Sequence, residues 1–397
     1  ARISNPGAAA QFGQGFKRHV IKWHGFVIAL TLTRIRYTVI VINPKPDSKA
    51  SPKRSTTRAT GRSTLVDVAS LAGVTTMTVS RFLREPTRVS ELASARIREA
   101  LVATGYTPNK QAGSLASGKS LVIAAVIPKI GNSAFAETVQ ALCDSFQGTG
   151  YELLLAATNY SLEREEEQVR TMLGWLPSAL IIVGRKHSGG TVAMMRAARD
   201  KGTPVLEIWD KSPRHAEFIQ VGFDHHAVGA MMAQHLVDQG YQDLAYVDSG
   251  EPADFRAHER GKGFVAHAKH KGCKVSRVAA PAIEPMAAGR LSLQLMGTLP
   301  LPRAIAFAND HLAIGAYLQA QSQQLNVPGQ LALLGFGNFP LSAQLGGGIS
   351  SVEPQRYRIG QAAAAQVLAA LGKPAPAGQD ELTAQALQPQ VVHRAST

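Results

Sequence analysis

Cysteine is nearly missing from this chain. Cys143 and Cys273 are the only two among 397 residues and lie 130 positions apart, with no CxxC or Cys/His ligand spacing around either. That pattern excludes a disulfide scaffold and a zinc site, and it suits a reducing cytoplasm. Long apolar runs are missing too. The most apolar early stretch, Phe26 to Leu32, is soon broken by Arg34 and Arg36, too short for a membrane span. Lys17, Arg18 and Lys22 ahead of it resemble a signal-peptide n-region, but no clear small-residue cleavage site follows, so export is not expected. None of Gly13-Gln-Gly, Gly261-Lys-Gly or Gly335-Phe-Gly completes a dinucleotide fingerprint between strand and helix. With no P-loop, HExxH or GxSxG either, the sequence supports no cofactor and no enzyme chemistry.

Acidic residues are scarce at the amino-terminal end. Residues 1–62 hold 12 Lys/Arg against the single acid Asp47, a net +11, residues 63–120 add +3, and residues 121–397 balance to zero. The total of +14 therefore sits where a polyanion such as nucleic acid would be met. Residues 1–62 read as a basic extension without a folded domain. Asn43 to Arg62, with Pro44, Pro46 and Pro52 among six basic residues, is expected to be disordered. The first methionine is Met77, inside an expected helix, which leaves open that residues 1–62 are not native to the protein.

What is present after this is ordered by period. Residues 63–108 spell three short helices. Ser63 or Thr64 can cap Leu65 to Ala72, Gly73 ends it, Thr75 can cap Thr76 to Leu83, and Ser90 caps a third helix stopped by Gly105. Residues 109–120 form a short polar linker. From Leu121 the rhythm is strand, helix, strand. Leu121–Ile127, Leu153–Ala157, Ala179–Val183 and Val205–Ile208 form one series, and Leu244–Val247, Ala304–Ala308 and Leu331–Leu334 a second. Alternation of this kind over 121–397 predicts α/β units with right-handed crossovers, enough for two similar lobes.

A helix, a turn at Gly73 and a second helix make a helix-turn-helix pattern, in which the second helix enters the major groove. Arg81 is its long cation with a fork able to read guanine, although an ordinary three-helix bundle with a solvated arginine has the same pattern. The stretches TLVDVA (64–69), AGVT (72–75), TVSRFL (78–83) and GYTPN (105–109) resemble the amino-terminal signature of the lactose/galactose repressor family. Arg260, Gly263, Phe264, the Ala308–Asp310 triplet, Gly315 and Gly335-Phe continue the resemblance over residues 63–397. TTMTVSRFLR (75–84) and VGFD (221–224) are most similar to the gluconate-operon repressors within it.

The resemblance implies a small all-α helix-turn-helix domain followed by an α/β effector domain of two Rossmann-like lobes, periplasmic-binding-protein-like. It implies a homodimeric, sequence-specific transcriptional repressor of operator DNA, with no membrane role and no enzyme activity. Thr76, Met77 and Arg81 would face bases, and Thr75, Thr78 and Ser80 phosphates. Residues 109–120 would be a hinge helix and linker, with Asn109 and Ala112 at the DNA and Leu115 wedged into the minor groove. Leu115 could instead serve as a satellite core residue. Gly113 weakens such a hinge, and Arg84 stands where many relatives carry asparagine.

The effector domain would hold its ligand at the carboxyl ends of the strands. Asn132, Phe135, His187, Arg260 and Asn309 are the candidates, with Arg185, Trp209 and Asp210 beside them. Arg260 matches the family's ligand position, and an arginine fork clamps a carboxylate, while Asn309 can serve a hydroxyl. Gly337 and Asn338 stand where many relatives have an aspartate for sugar hydroxyls. The expected effector is gluconate or a related sugar acid or phosphate. The alternatives are a relative responding to another sugar, and a ligand-binding protein without DNA. Asn309 and Asp310 could merely cap a helix, His187 could be a loop histidine, and His225, His226, His267 and His270 read as solvated helix positions.

Overall fold

The computed structural model describes residues 19–23, 26–30, 40–42, 63–108, 120–131, 134–211, 216–297, 302–374 and 387–397. They belong to two compact units, residues 1–108 and 109–397. The basic segment 43–62, residues 109–119 of the expected hinge with Asn109, Ala112 and Leu115, and Asn132 lie outside the described residues.

In the first unit β1 (His19–Trp23), β2 (Phe26–Leu30) and β3 (Ile40–Ile42) pair antiparallel in that order. The sequence predicts no element there, because charge and proline outweigh three short runs rich in Val and Ile. Then come α1 (Leu65–Ala72), α2 (Thr76–Arg84) and α3 (Glu91–Thr104). Thr64 and Asp67 form a capping box on α1: the Thr64 hydroxyl accepts from the Asp67 amide, and the Asp67 carboxylate accepts from the Thr64 amide at 2.7 Å. Gly73 closes α1 in the left-handed region at φ 63°, and two residues on, Thr75 caps α2. Val68, Ala69, Ala72, Val79, Ile97 and Ala100 are buried together. Helices this short are marginal alone, so that shared apolar centre holds them.

The second unit opens with β4 (Val122–Ile127), α4 (Ala136–Phe146), β5 (Glu152–Ala157), α5 (Leu162–Gly174), β6 (Ala179–Val183), α6 (Gly189–Asp200), β7 (Val205–Ile208) and β8 (Ile219–Val221). Their sheet is parallel, in the order β5-β4-β6-β7-β8. The continuous runs VIAAVI and ALIIV are buried on both faces, as helix-covered parallel strands require. The second lobe contains α7 (His225–Asp238), β9 (Asp243–Asp248), α8 (Phe255–His270), β10 (Lys274–Ala279), α9 (Pro285–Met296), β11 (Ala304–Phe307), α10 (Asp310–Ser322), β12 (Ala332–Phe336) and β13 (Ser350–Glu353). Its sheet runs β10-β9-β11-β12-β13, closed at the edge by the antiparallel β14 (Gln390–Val392).

Between β13 and β14 the chain returns to the first lobe as α11 (Arg356–Ala370), where the Thr138 hydroxyl of α4 donates to the Arg356 carbonyl at 2.8 Å. It thus passes between lobes three times, after β8, after β13 and after α11. In the second lobe two helix pairs touch backbone to backbone. A Cβ at Gly229 of α7 would lie 1.9 Å from the Arg260 carbonyl oxygen, and one at Gly263 of α8 2.0 Å from that of His226. Gly289 and Gly315 repeat this reciprocal contact between α9 and α10.

Candidate functional site

The expected recognition surface is the outer face of α2. Val79 is fully buried and Phe82 half-buried, which leaves Thr76, Met77 and Arg81 exposed. Met77 is 68% exposed, an apolar side chain left in water on a helix otherwise polar on that side. The Thr75 oxygen accepts from the Thr78 amide at 3.2 Å and sits 2.9 Å from the Thr78 hydroxyl, so both threonines are fixed at the amino end of α2. Ser80 is half-buried, and its carbonyl accepts from Arg84 Nε at 3.3 Å. The helix amino terminus with its free amides favours an anion there.

The second unit holds a cleft of about 490 Å³ at the carboxyl ends of the strands. Lys129 follows β4, Asn159 and Tyr160 follow β5, Trp209 follows β7, Ser249 to Glu251 follow β9, and Asn309 follows β11. Of the expected effector residues, Phe135, Arg260 and Asn309 line it.

Its floor is a chain of hydrogen bonds. Trp209, in the left-handed region at φ 67°, donates from its indole to the Thr138 hydroxyl at 3.0 Å, and its carbonyl accepts from His225 Nε2 at 2.7 Å. With that nitrogen donating, Nδ1 of His225 is the acceptor for Arg260 Nη1 at 2.8 Å. Burial, with the charges of Arg260 and Arg256, holds the imidazole well below its ordinary pKa, so it stays neutral. Arg260 Nη2 donates to the Ala308 carbonyl at 2.8 Å, the guanidinium lies 3.8 Å from the centre of the Phe336 ring, and Nε has no partner. One helical turn earlier, Arg256 is packed over the rings of Phe135 and Phe255 at 5.5 and 5.1 Å. Both arginines are buried, and neither pairs with a carboxylate of the described residues. Burial pushes the Tyr160 hydroxyl up, aided by Asp254 and opposed by the two arginines.

Behind the cleft, Arg185 Nε donates to Asp210 at 2.9 Å and Nη2 to Glu259 at 2.5 Å, joining the end of β7 to α8. Burial raises Asp210 to about 6 against the charges of Arg256 and Arg185. Asn309 caps α10 through Oδ1, which accepts from the Leu312 amide at 3.0 Å, leaving its NH₂ as the group available to a ligand. Asp310 instead pins the loop after β12, accepting from the Phe339 amide and the Ser342 and Ser351 hydroxyls.

Two expectations are corrected. His187 is absent from the cleft lining; its ring is buried against Glu165 at 2.9 Å, with Glu207 at 3.6 Å, because β6 turns it back toward α5 and β7. His225 is buried rather than solvated, since α7 begins directly beneath Trp209. Asn338 is not on the lining either, its amide engaged by Glu353 and Arg394. Arg256, Tyr160, Asp254 and His225 are cleft residues that the sequence does not single out. The spacing of Arg256 four residues before Arg260 on a helix capped by Asp254 is the available signal. Among the described residues no group of His, Cys, Asp and Glu could hold a metal, and no helix is long and apolar enough to cross a membrane.

Comparison with known proteins bears on both surfaces. Residues 64–109 match the family described as bacterial regulatory proteins, lacI family, and residues 233–397 match a periplasmic binding protein-like domain. The chain is 34% identical over 316 residues to the HTH-type transcriptional regulator GntR of Pseudomonas aeruginosa, covering 79% of this chain and 90% of that one. It is 33% identical over 310 residues to the regulator of the same name from Escherichia coli (strain K12), covering 78% and 92%. A transcriptional regulator of Silicibacter pomeroyi superposes with a TM-score of 0.75 at 32% identity, over 84% of this chain and 98% of the other. The lac repressor dimer bound to operator shares the fold at a TM-score of 0.70 and 21% identity, over 85% and 99%.

Proposed function

The chain belongs to the LacI family of bacterial regulatory proteins and is a DNA-binding transcriptional repressor rather than an enzyme, and we propose that a sugar acid of the gluconate type is its effector. The observation that carries this reading is the pair of buried guanidiniums facing the cleft: Arg260 has no carboxylate partner among the described residues, and Arg256 has near it Asp210, whose carboxylate is already bonded to Arg185. A buried cation lacking a counter-ion is costly, and a ligand carboxylate supplies what the wall lacks. Asn309 and the acidic Asp254 on the same lining offer partners for hydroxyl groups. The cleft volume of about 490 Å³ suits a small polyhydroxy chain, and the relatives at 33–34% identity carry the name GntR.

On the DNA side, Thr76, Met77 and Arg81 read bases while Thr75, Thr78 and Ser80 hold phosphates. With a single recognition helix per chain, a two-fold dimer reads two half-sites together. The effector acts through its different affinity for the two lobe arrangements, and so shifts the operator-binding state. Titration of operator DNA with and without D-gluconate tests the proposal. A change in operator affinity is the expected outcome, and no change at saturating gluconate would refute the sugar-acid assignment.

A further inference from the structure

We propose that Arg256 clamps the carboxylate of the effector and sets the preference for an acid over a neutral sugar, with Arg260 as a positioning residue beside it; this rests on the sugar-acid reading above. The terminal nitrogens of Arg260 are already committed, Nη1 to His225 and Nη2 to the Ala308 carbonyl, both at 2.8 Å. One face of its guanidinium is covered by Phe336. A fork that grips both oxygens of a carboxylate presents two parallel N–H groups. Arg260 can offer its Nη pair only by abandoning the bonds that hold His225 and the strand end, which leaves its single Nε–H for the ligand.

Arg256 has no such commitments. It projects from the same face of α8 one turn earlier, is 5% exposed, and lines the cleft together with Tyr160. Asp210 attracts it but is itself bonded to Arg185 at 2.9 Å. The rings of Phe135 and Phe255 shield the guanidinium from water, and in such surroundings an ion pair with an arriving carboxylate is stronger than in solvent. Tyr160 lines the same cleft and offers its hydroxyl as an additional donor to the bound anion.

Calorimetry on the full chain with D-gluconate and with its neutral alcohol D-glucitol tests the assignment in wild type, Arg256→Gln and Arg256→Lys, each checked for a cooperative thermal transition. The glutamine variant is expected to lose at least ~10-fold in gluconate affinity, and to lose the ionic-strength dependence of that affinity. Its gluconate-to-glucitol ratio falls with it. Lysine keeps the charge without the fork, so its ratio falls several-fold less. A folded Arg256→Gln that retains the wild-type ratio overturns the role of Arg256 and leaves the sugar-acid reading standing. Should that variant not fold, an undiminished ratio in Arg256→Lys overturns it equally. Wild type that binds neither compound overturns both.

Discussion

Arg260 and His225 are joined by a 2.8 Å hydrogen bond in which the guanidinium donates to a neutral imidazole. The imidazole can accept because its other nitrogen donates to the Trp209 carbonyl. Replacement His225→Leu removes the acceptor and leaves a buried N–H of Arg260 unsatisfied, which costs about 1–3 kcal/mol. Unfolding free energy should drop by that amount, and gluconate affinity by roughly tenfold as Arg260 loses its orientation. Unchanged affinity by calorimetry would show that Arg260 is held by Ala308 and Phe336 alone.

The buried histidine of the first lobe predicts a pH dependence of stability. Burial alone would lower the pKa of His187, but hydrogen bonds and charges from Glu165 and Glu207 outweigh it and raise the value from 6.5 to about 9. A folded pKa above the unfolded one stabilises the protonated fold. The contribution is on the order of 3 kcal/mol, fully present below pH 6.5, declining above it and lost as pH rises through about 9. Urea unfolding across that range should weaken in wild type, and the slope should flatten in His187→Leu. A wild-type curve as flat as the variant's would contradict the ion cluster.

On operator DNA, Arg81→Ala is expected to cost roughly 1–3 kcal/mol while random DNA is bound nearly as before, because a bidentate base contact carries sequence information. Fluorescence anisotropy on both DNAs distinguishes the roles. Equal losses would instead make Arg81 a phosphate contact.

Glycines in helices separate packing from propensity. Gly229→Ala drives a methyl group into the Arg260 carbonyl and should destabilise by about 1–3 kcal/mol or more, as overpacked contacts do. Gly174→Ala, at the end of α5 with open space around it, should be neutral or stabilising by up to about 1 kcal/mol. Denaturant midpoints for the two variants moving in the same direction would argue against the close approach of α7 and α8.

Much of the architecture is legible in the order of the residues alone. Gly73 and Thr75 mark the helix-turn-helix because caps and stops are local chemistry, and runs such as ALIIV mark buried parallel strands by composition. The strands that escape such reading are of a different kind. Lys274–Ala279 lies at a sheet edge, largely exposed, and Ser350–Glu353 is short and rich in serine, so neither carries an apolar run. The cleft is half legible. Phe135, Arg260 and Asn309 follow strands or match a motif, whereas Tyr160 and Arg256 meet only because two lobes bring β5 and α8 together. His187 misleads for the complementary reason: a polar residue after a strand points to the cleft or away from it, and only Glu165 and Glu207 decide which.

Three passages of the chain between the lobes have a mechanical meaning. Three tethers between the same two lobes restrain sliding and twisting more than bending, so a hinge rather than a pair of sliding plates is the motion expected of them. A ligand held by Tyr160 on one jaw and by α8 on the other would then be measured as an angle. Its length and charge become a degree of closure, and a compound too short to touch both jaws exerts no torque, however firmly one side holds it.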